Sequence, residues 1–161
     1  MDAFDAELSI LLVETYRNVG RIEEIMLKDL SSGKLSLGEM HALECVGRGG
    51  KEGRTITALA QDLAITLPSV TAVIKRLEKK GYVTKQRGVK DARQVHIRLT
   101  EDGRRAYIAH RYFHRRMVNA ARKSVDHEEM DVLLRSVRAI NEFFRQKLIE
   151  LEDARPPEKE E

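Results

Sequence analysis

The sequence is poor in cysteine and proline and has no long run of apolar residues. A single cysteine, Cys45, among 161 residues rules out an internal disulfide framework and is compatible with a reducing cytosol. No apolar run approaches about eighteen residues and no signal peptide is recognisable, so we expect a cytoplasmic protein that neither spans a membrane nor is exported. The 42% of apolar residues excludes wholesale disorder and is ample for one domain with a sizeable core.

Residues 55–81 have the pattern of two short helices joined by a turn. After the first helix, Thr66 is a good N-cap for the second, and Pro68 lies in the first helical turn, where its missing N–H costs nothing. Gly81 is expected to end the second helix. The apolar positions at helical spacing are Ile56, Leu59, Ala60 and Leu63, then Val70, Ile74 and Leu77.

A basic hairpin follows, with strands predicted near residues 82–86 and 94–99. Between Thr66 and Arg105 there are eleven Lys and Arg residues against four acidic ones, a net charge of +7. The whole chain carries only +3, so the remainder is −4. Because the positive charge is concentrated at one segment, that segment suits a polyphosphate partner. We therefore predict a mainly α protein with a small β-wing, a winged helix-turn-helix that binds double-stranded DNA.

The run LAQDLAITLPSVTAVIKRLEKKGYVTKQRGVKDARQVHIRLTEDGR resembles the DNA-binding core of the MarR family of bacterial transcriptional regulators. Its most specific parts are RLEKKGYV (Arg76–Val83) and KDARQVHIRLTEDG (Lys90–Gly103). The resemblance implies that Arg93 enters the minor groove and that Asp91 orients it, which agrees with the negative potential of a narrow minor groove. The predicted DNA-binding residues are Thr66, Ser69, Thr71, Lys75, Arg76, Arg87, Lys90, Asp91 and Arg93.

Long helices flank this core. Apolar residues at helical spacing predict one helix over 4–30 and further helices over 104–150, and Ser36 with Glu39 forms a capping-box pattern before a helix in 36–46. We expect a single MarR-like domain over 1–161, with the winged helix-turn-helix at 36–103 and an acidic, disordered tail at 152–161. The resemblance implies that the flanking helices form a homodimer on a pseudo-palindromic operator, with recognition helices about 34 Å apart.

Histidines outside the DNA-binding core raise the question of what the regulator senses. His110 and His114 are four residues apart on one helical face, a spacing that lets two imidazoles share a metal ion. By resemblance to the zinc-responsive MarR regulators, Glu24, His41, His110 and His114 form a tetrahedral zinc site, although the second metal site of those sensors lacks its glutamate and cysteine here. A buried histidine–carboxylate network is the alternative interpretation.

The segments KLSLGEMHALECVG, HRYFHRRMV and DHEEMDVL resemble a different MarR branch, the fatty-acid-synthesis repressors of Gram-positive bacteria. That resemblance implies control of fatty acid synthesis genes, with tighter DNA binding when a long acyl chain on acyl carrier protein enters the apolar space between helices. No cofactor is required for this mode of action. The residues expected to line such a tunnel, which core packing explains equally, are Leu12, Tyr16, Met40, Leu43, Ile108 and Tyr112.

Two other functional classes were weighed against a repressor. A metal-dependent enzyme built on the histidines lacks a general base beside the pair, a phosphate loop and any nucleophile–base spacing, and it leaves the basic wing unexplained. A structural DNA-packaging protein would contact phosphates alone, and the sequence does not decide whether Ser69 and Thr71 contact base edges. We therefore predict a non-enzymatic transcriptional repressor.

Overall fold

A computed structural model describes residues 2–31, 34–87 and 94–153. The described chain is mostly helical with a small antiparallel sheet, which confirms the predicted fold class. Its elements in chain order are α1 (Ala3–Ser31), α2 (Leu37–Arg48), β1 (Arg54–Thr55), α3 (Ile56–Leu63), α4 (Leu67–Lys79), β2 (Val83–Arg87), β3 (Val95–Leu99), α5 (Glu101–Lys123), a 3-10 turn (His127–Glu129) and α6 (Met130–Asp153).

The helices begin where short hydroxyl side chains cap them. Ser36 and Glu39 form the predicted capping box at α2. Thr66 caps α4, its Oγ1 accepting from the backbone N–H of Ser69. Thr100 precedes α5 and does two things, because its Oγ1 accepts from the Gly103 N–H at 3.1 Å and donates to the Gly81 carbonyl at 2.7 Å. This hydroxyl ties the start of α5 to the turn that follows α4.

Helices α3 and α4 form the predicted helix-turn-helix. Their axes differ in direction by 109°, within the range of about 90–120° typical of that motif. Ala64 ends α3 in the left-handed region at φ 51°, which turns the chain sharply toward α4. Within the described ranges, no single helix has the length and apolar character of a membrane span; only the bent α3–α4 pair does when both helices are counted together.

The sheet contains one strand that the sequence did not predict. Its order is β1-β3-β2, all antiparallel, with Arg54 opposite Ile97 and Lys85 opposite Ile97 on the other side. The glycine-rich run GRGGKEG leads into this strand, β1. Its last residue, Gly53, at φ +74°, brings the chain so close to β3 that an added Cβ would lie 2.3 Å from the Ile97 carbonyl oxygen.

The core lies between α2, α3, α4 and the sheet. Its fully buried large side chains include Met40, Leu43, Leu59, Ile74, Leu77 and Ile97. Cys45 is buried among them, and burial raises the pKa of its thiol, so the thiol stays protonated at neutral pH. Cys45 thus packs as a small apolar side chain.

The chain divides into two compact units, the first ending at Phe113 and the second beginning at His114. The first holds α1 to α4, the sheet and the first half of α5. The second holds the rest of α5, the 3-10 turn and α6. The expectation of a single domain over 1–161 stays a prediction.

Candidate nucleic-acid interface and histidine cluster

Helix α4 has one buried face and one exposed face. Val70, Ile74 and Leu77 have no exposed surface and anchor the helix in the core. The opposite side is open: the predicted DNA-binding residues Ser69, Thr71 and Lys75 are all exposed. Polar groups and cations thus occupy the side of α4 that faces away from the protein, as a helix that enters a DNA groove requires.

The hydroxyl groups at the beginning of α4 are held by local hydrogen bonds. The Oγ atoms of Thr66 and Ser69 lie 2.8 Å apart, and the Thr71 hydroxyl donates to the Leu67 carbonyl at 2.7 Å. These bonds fix the side-chain rotamers, because a threonine in a helix bonded to the carbonyl four residues earlier holds one χ1 value. The first turns of α4 therefore present a defined surface.

Only the lower part of the predicted wing belongs to the described residues. Arg87 is exposed at the end of β2, and Lys85 donates from Nζ to Glu78 Oε2 at 2.7 Å. Lys85 thereby ties one cation of the hairpin to α4. Lys90, Asp91 and Arg93 lie outside the described residues, so their roles remain predictions.

A buried carboxylate joins α2 to the end of α4. Glu39 is only 3% exposed, and both of its oxygens accept from Lys80 Nζ at 2.7 Å. Arg76 Nε lies 3.6 Å from Glu39 Oε1, so this predicted DNA-binding residue is also drawn toward protein. The sequence showed Glu39 as a helix cap but not as a partner of residues 41 positions away. Only folding brings Lys80 to it.

Two opposing effects act on the Glu39 carboxyl. Burial raises its pKa, but the hydrogen bonds from Lys80 and from the Ser36 backbone N–H, together with the charges of Lys80 and Arg76, outweigh burial. The pKa of Glu39 therefore lies below its ordinary value of 4.5. The carboxylate is charged at neutral pH and ties α2 to the C-terminal end of α4.

Comparison with known proteins identifies a matching family model and similar structures. The sequence model of the MarR family matches residues 35–95, which cover the helix-turn-helix and most of the hairpin. The crystal structure of FabT from Streptococcus pneumoniae in complex with DNA is similar over 88% of this chain and 97% of that chain, with 29% identity and a TM-score of 0.77. Residues 35–95 thus match the MarR family, and most of the chain shares the fold of FabT.

Two further transcriptional regulators are similar to this chain. The regulator BldR from Sulfolobus solfataricus is 26% identical over 88% of this chain and 99% of that chain, with a TM-score of 0.58. The uncharacterized regulator YhjH of Bacillus subtilis is 27% identical over 86 residues, which are 53% of this chain and 48% of that protein. The match thus spans about half of YhjH. The MarR family and its fold are those of transcriptional regulators rather than enzymes.

The structure brings together three potential metal ligands, one of which was not predicted. Glu23, His41 and His110 each offer a ligand atom, and these atoms all lie within 4.8 Å of one another. Glu23 and His110 are 5% and 1% exposed, and Glu23 Oε1 is 3.3 Å from His110 Nε2. The predicted ligand Glu24 is exposed on α1 and does not join this group. The correction has a simple cause, since one residue along a helix is a rotation of about 100°.

His110 also lies near a second carboxylate. Its Nδ1 is 3.6 Å from Glu44 Oε2, while Glu44 pairs with Arg48 at 2.9 Å. The rings of His41 and His110 are 6.0 Å apart in an edge-on arrangement. This geometry accommodates either a metal ion or a carboxylate–histidine network. His114 begins the second unit, and its membership of the set stays a prediction.

The residues predicted to line an effector tunnel do not form one surface. Met40 and Leu43 have no exposed surface and belong to the core, so they do not border an open pocket. Tyr16 is 84% exposed and borders a groove of about 710 Å³ between α1 and α2. The other three predicted residues, which are 40%, 55% and 60% exposed, are Leu12, Ile108 and Tyr112. Helical spacing alone did not separate core positions from groove positions.

Proposed function

We propose that this protein is a sequence-specific transcriptional repressor that inserts the exposed face of α4 into the major groove of an operator. The observation that carries the proposal is the division of α4 between a fully buried apolar face and an open face with Thr71 and Lys75. The similarity to FabT, which was crystallised in complex with DNA, supports it. The exposed cations Lys79 and Arg87 supply positive charge beside this face.

The proposed repressor is a homodimer, because α1 and α6 each expose more apolar surface than a monomer accounts for. Phe4, Val13 and Tyr16 on α1 are 70%, 60% and 84% exposed. In the second unit, Phe143 and Phe144 on α6 are 63% and 55% exposed. Exposed apolar surface of this kind marks an interaction face, and a second copy of the same chain meets it symmetrically. Two copies read the two halves of a pseudo-palindrome.

DNA binding is tested with paired lysine substitutions. Lys75→Ala removes a cation from the open face of α4, whereas Lys28→Ala removes an equally exposed cation from α1. We expect Lys75→Ala to weaken binding and to reduce the slope of log affinity against log salt by about one unit. Fluorescence anisotropy with a duplex selected by the parent protein from a random pool measures both quantities.

The Lys28→Ala variant is expected to match the parent in affinity and slope. A Lys75→Ala variant that keeps the parent's slope would remove α4 from the interface. Failure of the parent to enrich any duplex would remove sequence-specific binding altogether.

The effector that we propose is a long acyl chain on acyl carrier protein, which strengthens operator binding and so represses fatty acid synthesis genes. The resemblance of the local sequence to the fatty-acid-synthesis repressors supports this role, as does the similarity to FabT. The groove between α1 and α2 offers apolar side chains such as Val19 and Leu37, with Arg21 and Lys28 at hand for an anionic carrier. Apolar side chains beside cations suit an amphiphilic ligand with an anionic end.

Gly20 provides a direct test of the groove. It borders the groove, and an added Cβ there would meet no atom within 4 Å, so Gly20→Leu fills the groove without a clash at the Cβ. We expect this variant to bind operator DNA but to lose the gain in affinity that hexadecanoyl-acyl carrier protein confers on the parent. Gly38→Leu, at an exposed glycine of α2 with the same free space, is the control. An unchanged response in Gly20→Leu contradicts the assignment of the groove.

A second candidate role is zinc sensing through the histidine cluster. Glu23, His41 and His110 supply one carboxylate and two imidazoles, a donor set that zinc accepts in tetrahedral sites. Bond lengths of about 2.0–2.2 Å place tetrahedral ligand atoms about 3.4 Å apart, so the present spacing needs only a small closure. The residues therefore fit the metal, and zinc would act there as a structural tie between α1, α2 and α5.

Substitutions of the adjacent residues Glu23 and Glu24 distinguish a zinc site from a carboxylate–histidine hydrogen-bond network. We expect Glu23→Gln to weaken zinc binding by at least about tenfold in a chelator competition, while Glu24→Gln binds like the parent. The reverse result would restore Glu24 as the ligand. If the parent takes up no zinc, the cluster is a carboxylate–histidine hydrogen-bond network and the zinc hypothesis fails.

A further inference from the structure

The part of α4 that leads into the groove is unusually apolar for a base-reading surface. Its first two turns expose Leu67, Pro68, Thr71 and Ala72. Half of the surface of Leu67 is exposed (50%). None of these four side chains carries an N–H group. The cations Lys75 and Lys79 come only one and two turns later.

The hydroxyl group of Thr71 is not available to donate a hydrogen bond to a base. Its proton is directed to the Leu67 carbonyl at 2.7 Å, which leaves the oxygen able to accept and the methyl group fixed in one orientation. The hydroxyls of Thr66 and Ser69 share one hydrogen bond at 2.8 Å, so one of the two protons is also engaged. The leading surface of α4 therefore offers methyl and methylene groups where a direct hydrogen-bond reader would offer amide or guanidinium donors.

Among the four bases, thymine alone presents an apolar group, its C5 methyl, at the edge that faces the major groove. From this complementarity we infer that the first two turns of α4 recognise thymine methyl groups, with Thr71 Cγ2 and Ala72 Cβ as the specificity-determining contacts. The inference rests on the proposed DNA-binding function and names the chemistry that α4 reads. The occupant is duplex DNA because Lys75 and Lys79 on the same open face complement its phosphates.

The test replaces thymine by deoxyuridine, which removes only the methyl group. A duplex selected by the protein from a random pool is synthesised with one such replacement at a time, and the affinity of each duplex is measured. We expect one or two positions in each half-site to lose about fourfold in affinity, the effect of one buried methyl group. All other positions should stay within experimental error of the unmodified duplex.

Two variants at one residue identify the side chain responsible. Thr71→Val keeps the branched shape and is expected to retain the thymine preference, whereas Thr71→Ser lacks the methyl and is expected to lose the preference at one position. Thr71 is exposed on α4, and a thermal melt checks that both variants are folded.

The possible failures are distinguishable. If no duplex is enriched, the proposed function fails. If a duplex is enriched but every deoxyuridine replacement leaves the parent's affinity unchanged, the methyl inference fails and specific DNA binding stands. If every replacement that weakens binding to the parent weakens binding to Thr71→Ser by the same factor, other side chains read those thymines and the assignment to Thr71 is overturned.

Discussion

At the scale of single residues, Glu39 shows how one carboxylate links local and distant structure. It caps α2 through Ser36 and also accepts two hydrogen bonds from Lys80 at the end of α4. A buried carboxylate is stable only with such partners, because the desolvation of an unpaired charge is costly. The angle between α2 and the DNA-reading helix therefore depends on this side chain.

Replacement of Glu39 by glutamine tests that dependence. Since the pKa of Glu39 is lowered in the folded protein, its charge stabilises the fold above about pH 4.5, and this contribution disappears as the pH falls through the folded-state pKa. We expect Glu39→Gln to lower the free energy of unfolding by about 1–3 kcal/mol at pH 7, with a smaller difference from the parent below pH 4. Urea unfolding at several pH values measures this.

Glu78→Gln is the matched control, because Glu78 also pairs with a lysine at 2.7 Å but at an exposed site. We expect it to cost at most about 1 kcal/mol. Equal losses for the two variants, or a Glu39→Gln effect that does not change with pH, would contradict a charged and buried Glu39.

The sequence did not show which of two adjacent residues on a helix points inward. The face of α1 that packs inward consists of Glu23, Leu27 and Ser31, which recur every four residues. Glu24 stands one position away from that row and is exposed. The sequence held this information in the single apolar member, Leu27, but two adjacent glutamates give no local signal of which one is buried.

At the scale of elements, the sequence predicted the helices, because their ends and faces depend on nearby residues. Caps at Ser36 and Thr66 and apolar faces at helical spacing located the helices to within a few residues. Strand β1 escaped prediction because its two residues, Arg54 and Thr55, show no alternation and form a strand only by pairing with distant β3. Local pattern does not specify such long-range pairing.

The terminal helices show the limit of apolar spacing as a guide to burial. The stripe of α1 from Phe4 to Tyr16 was identified in the sequence, and the same residues are exposed in the single chain. None of the described side chains of α6 is fully buried either. A helical pattern predicts an apolar face but not the molecule that covers it, which is why the interpretation requires a second copy.

At the scale of the whole molecule, the proposed dimer places two copies of α4 in successive major grooves. The two-fold arrangement explains the exposed apolar helices, and the open face of α4 explains the position of the cations. A groove between α1 and α2 and a cluster around His110 border the α2 helix, whose Glu39 holds α4. The ligands proposed for either place would therefore contact the helix to which α4 is tied.

The most direct measurement attaches an iron chelate to α4 and maps where it cleaves DNA. Lys79→Cys puts the attachment point at the exposed C-terminal end of α4, beyond the two turns inferred to contact bases, and Cys45→Ala removes the only other thiol. On a duplex selected by the parent protein, we predict two clusters of cleavage whose centres lie about one helical turn, or roughly 34 Å, apart, one from each copy of α4. Cleavage no stronger than that of the free chelate, or a single cluster without its symmetric counterpart, would contradict a dimer that reads DNA through α4.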